Sequence, residues 1–424
     1  MGEGLQVMSV FRCLASLSIV LVAAQVSGQS LIEVSGQLSG RAAWVESPPS
    51  WLDGGFGRLE AGGRGSDSSR IVHLETANLG LDLHPVSWMD IHVHGIGRNE
   101  PDGSEGEPAG VVEAYVDVRP VDSAVNHLRV RAGMFFLPTS RENVENLWSS
   151  PYTLSFSALN SWIAQELRPV GAEIEYGRIL SGGDRFVLAA AGFGGNDSSG
   201  TLLAWRGWSV GSRLGVYGEV LPLPGLASLA DPTIFGTQRP DGTKSFGADR
   251  DDRIGWSARV RWNRSDRFTF QAAFVDNLGD RDLHEAEYAW RTRLIIAGGD
   301  LRVTENVTIA AEVASGSTGM GFGPRAWVQA NLYTGYLLAS YRVSRHRISV
   351  RADTFNSADR DGSLAEINSE QGSAITLAYF FDRDSHVRVG LELVDLSESR
   401  PAGETGFPLD ADGTSGILEL RYAF

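Results

Sequence analysis

From Leu31 onward, apolar and polar residues alternate with a period of two. Val112, Ala114, Val116 and Val118 interleave with Glu113, Tyr115, Asp117 and Arg119. Ile254, Trp256, Ala258, Val260 and Trp262 interleave with Arg253, Gly255, Ser257, Arg259 and Arg261, and Ile348, Val350 and Ala352 with Arg347, Ser349, Arg351 and Asp353. Successive side chains of a strand point to opposite faces, so each run predicts a strand with one apolar and one polar face. Helical spacing is nearly absent, the exception being 158–167, which puts Leu159, Trp162, Ile163 and Leu167 on one side. The alternation predicts strands of about ten residues, roughly eighteen of them, over 31–46, 69–84, 87–97, 110–119, 126–136, 170–180, 185–193, 201–210, 213–221, 253–264, 267–276, 287–302, 306–315, 326–342, 346–354, 373–382, 386–394 and 414–424.

The links between these strands alternate in length. Pro85-Val86, Gly182-Gly183, Gly211-Ser212, Ser265-Asp266, Thr304-Glu305 and 382–385 are short; 47–68, 98–109, 137–169, 222–252, 355–372 and 395–413 are long. A soluble sandwich has no reason to keep all its short turns at one end. A barrel crossing a membrane does, because its two ends face different compartments. Aromatics such as Trp88, Trp256, Trp262, Tyr288, Trp290, Trp327 and Tyr341 fall near strand ends, as interfacial girdles do. The expected fold is all-β: a transmembrane antiparallel β-barrel of about 16–18 strands, with short periplasmic turns, long extracellular loops and both termini periplasmic.

Composition narrows the alternatives. Gly at 50 of 424 residues has no triplet period, which excludes collagen, and 42% hydrophobic with 21% charged residues excludes a disordered polyelectrolyte. The net charge of -15 argues against nucleic acid as a partner, and Lys244 is the one lysine, so the basic charge is almost all Arg. After Arg12 an apolar run, Leu14 to Ala24, leads to Val26, Ser27 and Gly28, the layout of a signal peptide over residues 1–28. The barrel would then occupy 29–424. The single cysteine, Cys13, lies in that leader, so the exported chain carries no thiol. No later stretch reaches the ~18 apolar residues of a membrane helix.

The last strand ends on Phe424, with Tyr422, Leu420 and Leu418 on the same face. A terminal aromatic closing an alternating strand resembles the assembly signal of outer-membrane β-barrels, and the whole exported chain resembles Gram-negative outer-membrane porins. Gly133-Met-Phe-Phe-Leu-Pro138 and Arg168-Pro-Val-Gly171 are similar to segments of phosphate-selective porins of the O/P type. The resemblance implies that the third long loop, Leu137 to Pro169, folds into the lumen, that barrel-assembly machinery reads Phe424, and that the chain forms a homotrimer. It departs from the family in lysine, since phosphate-selective porins line their pores with many and this chain has one.

If apolar positions face lipid, the alternate ones face the lumen. The pore-lining set is then Arg129, Arg131, Arg259, Arg261, Arg291, Arg293, Arg347, Arg351, Glu113 and Asp117, with Arg119, Arg253, Arg388, Arg421, Glu75, Asp90, Asp353, Glu392 and Glu419 beside them. Arginine outweighs carboxylate there although the chain is acidic. Guanidinium rings attract anions by charge and forked donors; the blander reading is that these arginines pair with wall carboxylates and stiffen the sheet. Arg141, Glu142, Glu145, Glu166 and Arg168 would line a constriction on the third loop.

Other chemistry is thin. His92 and His94 share a face and can chelate a metal, but a site wants three or four ligands. Asp249, Asp251 and Asp252, Asp359 and Asp361, and Asp410 and Asp412 are loop clusters that a divalent ion can bridge, with solvated loop tips as the ordinary alternative. No Gly-x-Ser-x-Gly, His-Glu-x-x-His or phosphate loop is present, and no catalytic residue, metal or cofactor is assigned. The expected function is an outer-membrane porin passing small hydrophilic solutes with mild anion preference, in contact with lipid and lipopolysaccharide. The alternatives are a barrel enzyme acting on lipids and a non-conducting scaffold or adhesin.

Overall fold

The computed structural model describes residues 31–424 apart from 65–66, 100–105, 236–241, 245, 266, 286, 324–325, 363–367 and 402–408. Residues 1–28, where the leader is expected, lie outside the described set. Sixteen antiparallel strands form one closed barrel in chain order. They are β1 (Ile32–Glu46), β2 (Ser69–Val86), β3 (Met89–Arg98), β4 (Ala109–Asp122), β5 (Asn126–Met134), β6 (Val170–Ile179), β7 (Asp184–Gly194), β8 (Gly255–Arg264), β9 (Phe268–Asp276), β10 (Arg291–Arg302), β11 (Val307–Phe322), β12 (Ala326–Val343), β13 (His346–Asp359), β14 (Glu370–Asp382), β15 (Val387–Ser399) and β16 (Gly413–Ala423). β16 pairs with β1 from Gln37↔Ala423 to Glu46↔Thr414, so no edge is left open. The Phe424 backbone exchanges hydrogen bonds with Gly36, N to O at 3.0 and 2.9 Å. Its ring lies where a Cβ at position 36 would stand, in the space the glycine leaves open.

Two expected strands are not in the wall. Residues 201–205 form a helix, and 213–221 is irregular except for Val220–Leu221, which pairs with Thr243–Lys244. The reason is visible locally: Leu202, Leu203, Ala204 and Trp205 run consecutively and all are buried, which leaves no second face for solvent or lipid. Gly200, Gly207 and Gly218 have positive φ and interrupt any ladder. Gly211-Ser212 is therefore no periplasmic turn, and residues 195–254 are one outer excursion between β7 and β8. The remaining short links all join strands at the end of the barrel that carries the termini. At the other end one link is also short, residues 323–325 between β11 and β12.

The outer face is an apolar band. Ile174, Leu188, Val260, Ile295, Val313, Leu337, Val350, Leu377, Leu393 and Leu418 are exposed on it. At the rim that carries the termini Tyr176, Phe186, Tyr341, Tyr422 and Phe424 are exposed, and Phe186 stacks on Trp262 at 6.0 Å. Trp290, expected in a girdle, is instead fully buried inside the outer mouth with Trp51, Trp205 and Phe235.

The inner face changes character along the barrel. Toward the end that carries the termini it is polar. In the outer half much of it is apolar: Phe193, Val275, Leu294, Ile296, Leu332, Phe355, Val394 and Leu396 pack into one core with Phe135, Phe136, Leu159, Trp162, Trp208, Val210 and Leu214 from the loops. Each large side chain buried this way contributes about 1.5–3 kcal/mol. The lumen is thus filled in its outer half by chain that turns inward, and apolar strand residues there face both ways.

Candidate constriction and solute path

Among the described residues, the in-folded chain comes mainly from 135–169 and 195–254, with 47–68 beside them. The spacing that predicts a helix over 158–167 is matched by α1 (Ala158–Glu166), capped by Ser157, whose Oγ accepts from the Asn160 N–H. Every residue of α1 is buried, because it sits across the lumen rather than on a surface.

Wall carboxylates and one wall arginine fix this segment. Arg351 on β13 pairs with Glu142 at 2.5 Å and with Asp353 at 2.7 Å, and donates to the carbonyl oxygens of Ser155 and Phe156 at 2.6 and 3.1 Å. Glu142 also accepts from the Ser157 N–H and the Asn160 amide at 2.9 and 3.0 Å. The Leu154 and Ser155 N–H groups donate to Glu392 at 2.5 and 2.9 Å, and the Ala158 N–H donates to Asp353 at 3.2 Å. Asn160 and Tyr336 donate to Glu312 at 3.1 and 2.6 Å. Strands thereby satisfy loop backbone groups that have no ladder of their own.

Glu166 joins the two in-folded segments. Its carboxylate accepts from Trp162 Nε1 at 2.6 Å and from the N–H groups of Gly200 and Leu202, at 3.2 and 3.1 Å, at the start of α2 (Thr201–Trp205). Burial pushes its pKa up to about 7 against these bonds. Arg168 donates to the carbonyls of Val112 and Ala164 at 2.7 and 2.8 Å and lies 3.4 Å over the Phe136 ring; burial lowers it to about 9. Beyond α2, the Trp208 N–H donates to Glu370 at 2.8 Å, and Glu370 also holds Arg58 at 2.7 Å and Arg400 at 3.2 Å.

The expected pore-lining residues fall in different places. Arg129, Arg131, Asp117, Arg259 and Arg261 are brought together on β4, β5 and β8 below the plug. Arg129 meets Glu175 at 3.1 Å and Glu173 at 3.3 Å, Arg259 meets Glu175 at 2.8 Å, Arg261 meets it at 3.9 Å, and Arg131 meets Asp117 at 3.5 Å. Glu113 accepts from the Phe136 N–H at 2.8 Å. Arg347 donates to Ser340 Oγ at 2.9 Å. Arg351 is wholly buried in the plug contact described above. Arg291 and Arg293 differ from the expectation: they are exposed on the outward face at the outer rim, because Thr292, Leu294 and Ile296 take the inward positions. Glu75 is likewise exposed outward. Of the loop set, Arg141 approaches Asp300 at 3.6 Å and Glu145 approaches Arg388 at 3.8 Å, while Glu142, Glu166 and Arg168 are buried within the plug rather than bared to a channel.

Sequence reading passed over Glu173, Glu175, Glu312, Arg41, Glu60 and Ser212. Glu173 and Glu175 flank Ile174 in plain alternation, and Gln37, Ser39 and Arg41 do the same on β1, so those signals were present. Glu60 and Ser212 lie in loops, where spacing says nothing. The histidines take polar partners: His92 Nδ1 meets Asp82 at 2.7 Å and His94 Nε2 meets Asn78 at 3.0 Å. Among the described residues, Asp197, Asp249 and Asp251 bring carboxylate oxygens within 4.8 Å of one another, and burial raises Asp197 to about 6.

Beside the plug a polar cavity of about 60 Å³ runs along β1, β2 and β3, bounded by Gln37, Arg41, Asn78 and Arg98 on the wall, and by Trp148, Glu60 and Ser212 on the loops. A second cavity, of about 390 Å³ at the periplasmic end, is lined by Glu145, Asp382, His386 and Arg388. Gln37 and Arg421 line both.

No family model and no curated protein sequence matches the chain. Solved structures do match in fold. The outer membrane channel DcaP of Acinetobacter baumannii superposes with a TM-score of 0.53 at 11% identity, over 93% of this chain and 97% of that one. A loop-deletion mutant of OmpT, an outer membrane protein of Vibrio cholerae, gives 0.52 at 9%, over 93% and 99%. An anion-selective porin from Comamonas acidovorans gives 0.51 at 11%, over 93% and 99%. At these identities the likeness is one of fold: this chain has the barrel architecture of outer-membrane channels and porins.

Proposed function

We propose that the chain, exported by its leader over 1–28, is an outer-membrane channel for small hydrophilic solutes whose lumen is narrowed by in-folded loops. The observation that carries this reading is the closed sixteen-strand wall, apolar outside and polar inside toward the periplasm, with outer segments turned into its lumen. A wall of this size encloses an aqueous lumen unless something fills it, and the fold neighbours are described as channels and porins. The mild anion preference rests on the arginines of the inner wall, and the homotrimer on the porin resemblance. Specificity for phosphate has little support: Phe135, Phe136 and Arg168, from the segments that carry that resemblance, are buried in the plug.

The test is reconstitution of the purified chain in a planar bilayer under a salt gradient. Discrete conductance steps with a reversal potential on the anion side support the reading. A non-conducting barrel is the second reading, favoured by the apolar filling of the outer half, and silence in the bilayer would support it. Hydrolysis of lipid by the purified chain would point to the enzyme alternative.

A further inference from the structure

We propose that the outward face of the outer rim over β9–β11 docks the phosphorylated headgroup of a glycolipid in the outer leaflet, held by Arg281, Arg291 and Arg293. The proposal rests on the outer-membrane placement in the reading above and not on whether the barrel conducts.

The sheet register builds the site. One row crosses four strands on the outward face, from Trp256 on β8 through Asp276 on β9 and Arg293 on β10 to Ser317 on β11. The next outward row toward the membrane is apolar on the first three strands, with Ala258, Phe274 and Ile295. Trp256 and Ile295 are exposed, and the Trp256 and Phe274 rings lie 4.8 Å apart. Arg291 and Arg293 therefore stand directly above the apolar band, at the level where a lipid's polar head joins its chains.

Guanidinium is in excess there. Arg291 donates to Asp276 from Nε at 3.2 Å and from Nη2 at 2.9 Å. Arg293 is exposed and donates from Nε to Ser317 Oγ at 3.3 Å, which leaves its Nη groups without a protein partner among the described residues. Arg281, in the loop between β9 and β10, lies 5.1 Å over the exposed Phe322 ring and donates to the Met320 carbonyl at 3.4 Å. Burial and then the Arg291 charge lower its pKa, so two like charges stand close together. Among the described residues, Asp276 is the one carboxylate that pairs with any of the three arginines. Asp280, next in the chain to Arg281, is held instead by His284 Nε2 at 3.0 Å.

Three guanidinium groups sharing one carboxylate carry a net positive charge, and their forked donors match the oxygens of a phosphate. The sign changes around the rim: Glu46, Glu75 and Asp395 are exposed at outward positions toward the outer ends of β1, β2 and β15. A headgroup that carries phosphate therefore has reason to settle over β9–β11 rather than there, with its chains against Ile295, Phe274 and Trp256.

The test is binding by the purified full-length chain in detergent, followed by native mass spectrometry. The probes are lipid A with both phosphates and the same lipid with its phosphates removed, with inorganic phosphate as competitor. The wild type should prefer the phosphorylated lipid, and the double variant Arg291→Gln with Arg293→Gln should lose about tenfold of that affinity while binding the dephosphorylated lipid as before. Replacing both by Lys should recover part of the loss, and Arg302→Gln, at the other end of β10, should change neither affinity. A wild type that binds the two lipids alike overturns the proposal, and so does a loss in the double variant that is equal for both. Displacement of the lipid by inorganic phosphate at equal concentration would assign the site to the free ion and overturn the lipid. A wild type that does not insert into vesicles overturns the membrane placement and this proposal with it.

Discussion

Arg351 on β13 and Glu142 on the in-folded loop form an ion pair at 2.5 Å with neither side chain exposed. Its position makes it the hinge between wall and plug: the same guanidinium also holds Asp353 and two loop carbonyls. Removing one partner of a buried pair costs about 3–5 kcal/mol, because the other charge stays buried without it. Arg351→Ala leaves Glu142, Asp353 and Glu392 close together without their cation. We therefore expect residues 140–160 to become sensitive to added protease in Arg351→Ala, while the barrel wall, held by its own ladders, keeps its heat-modified shift on a gel. Unchanged protease protection would show that the pair is not the anchor.

The joint between the two in-folded segments should respond to pH. Glu166 is pushed up to about 7, above its ordinary value, so the folded joint binds its proton more tightly than the unfolded chain does. Stability is then fully present below about pH 4.5 and falls as pH rises toward 7, by on the order of 3 kcal/mol, with no further loss from this group above that. Protease protection of 195–254 should be greater at pH 5 than at pH 8. Glu166→Gln should flatten that dependence, at the cost of the Trp162 bond, about 1 kcal/mol. A dependence that survives in the variant would assign it elsewhere.

Packing at the centre of the plug should be as sensitive as a soluble core. Trp162 meets Trp208 edge to face at 6.4 Å, both fully buried. Trp162→Ala should cost about 3–5 kcal/mol. Gly207 has a φ of +89°, and a Cβ there would run into the Glu370 carboxylate; Gly207→Ala should cost about 1–3 kcal/mol. Thermal melts followed by tryptophan fluorescence check both, and a neutral result for either would mean the plug packs differently.

Outward arginines should be silent. Arg293 is exposed at the outer rim, away from the lumen, so Arg293→Glu should leave the reversal potential where it is. Its effect on stability should stay within about 1 kcal/mol. A selectivity change would place this side chain in the solute path.

Much of the wall was legible in the alternation, because a strand with lipid on one side and water on the other has no other way to be written. The signal fails where that condition fails. In β10, Leu294, Ile295 and Ile296 are apolar on both faces, since the inner one packs on the plug; assigning polar residues inward therefore misplaced Arg291 and Arg293. The plug itself was half legible: α1 showed its period, but 201–221 read as strands because a run buried on all sides has no period to read. Pairs such as Arg41 with Ser212 join residues 171 apart, and no local pattern reports a contact between a strand and a loop at that separation.

Single-channel conductance of the wild-type chain beside Trp162→Ala tests the central claim most directly, that in-folded loops reduce a sixteen-strand lumen to a narrow passage. Small, discrete steps from the wild type and larger ones from the variant are the predicted result. Large steps from the wild type, unchanged when Trp162 is removed, would contradict it.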